Sequence, residues 1–200
     1  MADSKENWGI HLGCVYVATK SNVELGELGQ SVALAIDIAE SDDPDDPNIV
    51  FLILDPTSYE PAKNFLKNWK VVPFWVNKKD ISHTGEIDED GFISILTYGE
   101  ETGQKAGPFN IYNDRDAKNY LLSLTPDNLA LLVIGQYQLP RSQVQYLLGE
   151  GFLTAVKVDP EWLIRHPPES LYEDIVEKIL YQQTLEQFEK LNPEEPKPQF

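Results

Sequence analysis

The sequence is short of cysteine, of basic residues and of long apolar runs, and each shortage closes off a class of protein. A single cysteine, Cys14, has no intrachain partner, so oxidative stapling has no part in this fold. Only 16 Lys and Arg stand against 33 Asp and Glu, a formal net charge of −17. So anionic a surface repels nucleic acid and acidic membrane, because binding either needs clustered cations to displace counterions. The longest apolar runs, "IVFLIL" at 49–54 and "LALLVI" at 129–134, fall far below the roughly 20 residues that span a bilayer. The opening "MADSKENWGI" lacks the basic start and apolar stretch of a signal peptide. These shortages predict a soluble, cytoplasmic protein that neither binds nucleic acid directly nor inserts into a membrane.

What is present suffices for a core. Hydrophobic residues make up 42% of the 200, with four Trp, nine Tyr and eight Phe, which excludes global disorder. Residues 13–18 read as a first strand. In "QSVALAIDIAE", Val32, Leu34, Ile36 and Ile38 alternate with Ser31, Ala33, Ala35, Asp37 and Ala39, a strand with one large-residue face and one small-residue face. "ESDDPDDPN" (40–48) must be an exposed loop, and "IVFLILD" (49–55) a central strand covered on both sides. Residues 58–69 fit a helix with Pro61 in its first turn. "DISHTGEI" and "GFISILTYG" read as a hairpin closed by "DEDG", "GEETGQKAG" as a flexible loop, and "FNIYN" as a short strand. "DRDAKNYLLSLT" and "RSQVQYLLGEG" are helical, and "FLTAVKV" is a strand. Residues 129–137 suit a buried strand or a buried helix, length favouring the strand. The Ser170–Glu173 spacing of a capping box opens a helix to about Leu191.

Strands and helices are mixed without strict alternation. The pattern predicts an α+β fold with a single mixed β-sheet, packed helices and a long C-terminal amphipathic helix. Residues 1–191 would form one globular domain, and 192–200 a mobile, Pro-rich acidic tail.

Candidate sites are sparse. Glu86, Asp88 and Asp90 fall at ligand positions of an EF-hand loop with Gly91 as its turning glycine, but Thr97 stands where the bidentate Glu is required. A turn explains them better than a metal. Asp55 ends an apolar strand, where an acid can hold a metal or act as a base; His83 and Cys14 are the groups that could join it in a small enzyme. No nucleotide fingerprint, zinc spacing or nucleophile signature surrounds any of them, and no cofactor is implied. "LPRSQVQYLLGEGFL" has the order of a winged helix-turn-helix half, yet its helix offers only Arg141 to phosphate. Surface remains: Asp42, Asp43, Asp45 and Asp46 in the acidic loop, and Trp162 as an aromatic anchor. The reading that follows is a non-catalytic protein-interaction factor (assembly, regulatory or adaptor) whose partner is another protein with a basic surface. The alternatives are a strand-end enzyme around Asp55 with His83 or Cys14, and an acidic mimic of nucleic acid.

Overall fold

The computed structural model describes residues 10–18, 31–54, 58–61, 80–83, 93–99, 102–123, 129–134, 136–166 and 170–191. In chain order its elements begin with β1 (Val15–Ala18), β2 (Val32–Ala39), β3 (Asn48–Ile53), β4 (Ser58–Pro61) and β5 (Asp80–His83). β6 (Ile93–Tyr98), β7 (Gln104–Ala106), β8 (Phe109–Asn113), α1 (Asp114–Ser123) and β9 (Leu131–Ile134) follow. β10 (Tyr137–Pro140), α2 (Arg141–Gly149), β11 (Leu153–Val156), α3 (Pro160–Arg165) and α4 (Leu171–Leu191) complete the set.

The class is α+β, but the strands divide between two sheets rather than forming one. The first sheet has the order β10-β3-β2-β1-β11, antiparallel throughout. The second has the order β4-β5-β9-β6-β8-β7, with β5 and β9 its one parallel pair. An alternating strand shows that a face is buried without showing which layer buries it. Here the large-residue face of the first sheet (Val15, Val17, Val32, Leu34, Val50, Leu52) meets Leu96, Phe109, Ile111 and Val133 of the second. Leu163 and Ile164 of α3 and Leu171, Ile175 and Ile179 of α4 join the same core. The opposite face is small where α2 lies on it. Ala33 and Ala35 leave room for Tyr16 and Phe51, which meet edge to face at 5.8 Å and pack with Val144 and Leu147. β3 is therefore covered on both sides, as its unbroken apolar sequence requires.

Four local readings are corrected. A β-bulge between Ala35 and Asp37 reverses the parity of β2. Ile38 thus pairs with Ile49 on the α2 side and is 51% exposed, while Ala39 packs into the inter-sheet core. Residues 58–61 form strand β4 instead of opening a helix. β4 is an edge, where a proline without an N–H is tolerated; residues 62–69 lie outside the described residues. β5 and β6 are not hairpin partners, because β9 lies between them. "GEETGQKAG" is not simply a loop: β7 pairs back on β8. The stretch left open between strand and helix, 129–137, forms β9 and the start of β10. The proposed tail, 192–200, lies outside the described residues.

Two glycines join the sheets. Gly13 and Gly107 both have positive φ, +80° and +55°. A Cβ on Gly13 would stand 2.3 Å from the Ala106 carbonyl oxygen, and the two glycine backbones meet directly.

Candidate functional site

The acidic loop 40–47 is built by its own polar side chains. The Ser41 hydroxyl is shared between the Asp43 and Asp46 carbonyls (2.6 and 2.8 Å) and accepts from the Asp43 N–H. The Asp45 N–H donates to the Asp43 carboxylate at 3.0 Å, an Asx turn. Asp46 reaches 96 residues along the chain to the start of α2, accepting from the Ser142 N–H at 2.7 Å and from its hydroxyl. The residue before α2 is Pro140, which makes no side-chain cap, and the first turn holds no acid. Asp46 therefore supplies from another element both the missing acceptor and the negative charge that a helix N-terminus favours. These Ser142 hydrogen bonds hold the Asp46 carboxyl below the usual carboxylate range. Pinned at both ends, the loop leaves Asp42, Asp43 and Asp45 exposed.

A second surface lies where α3 meets α4. Sequence reading passed over α3, though its start was legible: Asp159 caps it by accepting from the Trp162 N–H at 2.8 Å, and Pro160 occupies the first turn. Trp162, partly exposed, lies 4.3 Å from the His166 ring, and Lys178 of α4 places its ammonium 3.7 Å from the centre of the Trp162 ring. His166 Nε2 donates to Asp174 at 2.8 Å and lies 3.2 Å from the Ser170 hydroxyl. Arg165 pairs with Glu161 at 2.9 Å, and the Tyr98 hydroxyl donates to the same carboxylate. That bond moves Tyr98 upward and, with Arg165, moves Glu161 downward from their ordinary values. His166, Asp174 and Lys178 come together only because α4 packs beside α3, so no sequence spacing signals them.

The proposed enzyme residues are not gathered by any described contact. Cys14 precedes β1 in the first sheet, its sulfur 4.0 Å from the Val156 carbonyl oxygen. Burial pushes its thiol up, the opposite of the shift that activates a nucleophile. His83 ends β5, in the second sheet. Asp55, Glu86, Asp88 and Asp90 lie outside the described residues. Among the described residues, no three His, Cys, Asp or Glu are grouped to hold a metal, and no helix is long and apolar enough to cross a membrane.

The architecture is a two-sheet α+β arrangement already known from solved structures. The AlgH protein of Pseudomonas aeruginosa, a UPF0301 protein, superposes with a TM-score of 0.61 at 16% identity, over 90% of this chain and 93% of its own. Protein DIP2367 of Corynebacterium diphtheriae gives 0.58 at 14% identity, over 83% and 85% of the two chains. The likeness is one of fold. No family model and no curated protein matches the chain.

Proposed function

We propose that this is a cytoplasmic factor that works by binding another protein, in an assembly, regulatory or adaptor role and without catalysis. The loop 40–47 would meet a basic surface on the partner. The observation that carries this reading is the pinned acidic loop: Ser41 and the Asp46 cap hold the backbone while Asp42, Asp43 and Asp45 face solvent. Charges held in place before encounter lose little freedom on binding, and they steer a cationic partner at a net charge of −17. Trp162 adds aromatic surface of the kind that anchors interfaces.

The test is affinity capture from the native source with wild-type protein and with the Asp42→Lys/Asp43→Lys/Asp45→Lys variant. A specific partner retained by the wild type, lost by the variant and released by salt is the expected result. A partner captured equally by both proteins, or no partner, overturns the reading. The raised Cys14 thiol gives the strand-end enzyme no support, and the placing of the densest acidic run in one short loop gives none to a nucleic-acid mimic.

A further inference from the structure

The ring of Trp162 already carries a cation. Lys178 comes from a different helix, two turns beyond Leu171, and its side chain is exposed; nevertheless its ammonium sits 3.7 Å from the ring centre instead of extending into water. The surroundings favour positive charge. Three carboxylates lie beside Trp162: Asp159 accepts from the Trp162 N–H, Glu161 pairs with Arg165 one residue before and three after Trp162, and Asp174 binds His166, whose ring meets the indole. Arg165 is committed to Glu161 and Asp174 to His166, so Lys178 is the cation that the ring receives. An aromatic face set among carboxylates binds an ammonium or guanidinium from any source, since the attraction depends on the ring quadrupole and the local potential.

Building on the proposed protein-binding role, we propose that the Trp162 face is a receptor for a lysine or arginine side chain of the partner. Lys178 is the internal cation that occupies it until the partner displaces it. The acidic loop attracts a basic surface in general, whereas this site selects one projecting basic side chain. Lys178 sets a threshold, because an incoming group must outcompete a tethered one.

The test measures binding of an octa-arginine peptide by calorimetry at fixed salt. Lys178→Gln vacates the ring and also removes one positive charge, so Lys157→Gln, at an exposed lysine in the connection between β11 and α3, serves as the charge-matched control. The expected result is that Lys178→Gln binds about two- to fivefold tighter than Lys157→Gln, the range of an exposed cation–π contact. Adding Trp162→Leu to both should erase the difference. Equal affinities for the two lysine variants, or a difference that survives Trp162→Leu, overturn the proposal. Circular dichroism checks that the leucine variants fold, and the two lysine variants carry the test if they do not. The triple loop variant separates this proposal from the role on which it rests. If that variant loses its captured partner while the two lysine variants bind alike, only the receptor site fails. If no partner is captured, the wider role fails on its own test.

Discussion

Asp46 is the residue whose structural work is best defined. Its carboxylate caps a helix that cannot cap itself; Asp46→Asn keeps an acceptor for the Ser142 N–H but removes the charge, so it should lower Tm by roughly 1–3 °C at neutral pH, the scale of one charge at a helix N-terminus. The pH dependence follows from the direction of the shift. Because the folded carboxyl is held below its ordinary value, its contribution is complete above the usual carboxylate range and is lost as pH falls through the lowered value. The gap between wild type and Asp46→Asn should therefore close in acid and stay constant above about pH 6, as thermal melts across a pH series would show. Thr97 is the opposite case. It is 1% exposed, and among the described residues its hydroxyl has no hydrogen-bond partner. Thr97→Val removes a desolvated polar group at nearly constant shape and should stabilise by about 1 kcal/mol in urea denaturation. Neither role is legible locally. The sequence shows an acid near a proline and a threonine on a strand, while Ser142 and the burial of β6 belong to distant parts of the chain.

At the scale of elements, hydrophobic patterning was informative wherever the chain stayed regular. β1, β2, β3, β8, α1, α2 and β11 all follow from apolar period and turn residues. It failed at Ile38 because a bulge inserts one residue and exchanges the faces. It failed at β4 because pairing with β5 decided the conformation of a segment whose own composition also suits a helix. The contact between Gly13 and Gly107 has its own test. Gly13→Ala forces a positive φ on alanine and sets a Cβ against the Ala106 carbonyl, so it should cost roughly 3 kcal/mol or more. Gly99→Ala imposes a similar φ, +76°, with nothing within 4 Å, and should cost only about 1 kcal/mol. Parallel urea titrations would check the difference, and equal losses would show that the close approach of the two sheets contributes nothing.

For the whole molecule, the charge of −17 acts on itself as well as on partners. Self-repulsion destabilises a compact state, and salt screens it within a Debye length of about 10 Å at 0.1 M. Raising NaCl from about 10 to 150 mM should therefore raise Tm, and a flat or falling Tm would show that attractive surface pairs dominate instead. The same screening should weaken the partner complex, so stability and binding are expected to respond to salt in opposite directions. Composition and period alone determined that this is an α+β chain with a substantial core and an acidic surface, because those properties sum over residues whatever their arrangement. Only the tertiary structure decided that there are two sheets, that Asp46 serves the fold while its neighbours face water, and that Lys178 reaches Trp162. Each of these depends on residues far apart in the chain being brought within a few ångströms, and no local spacing encodes such a meeting.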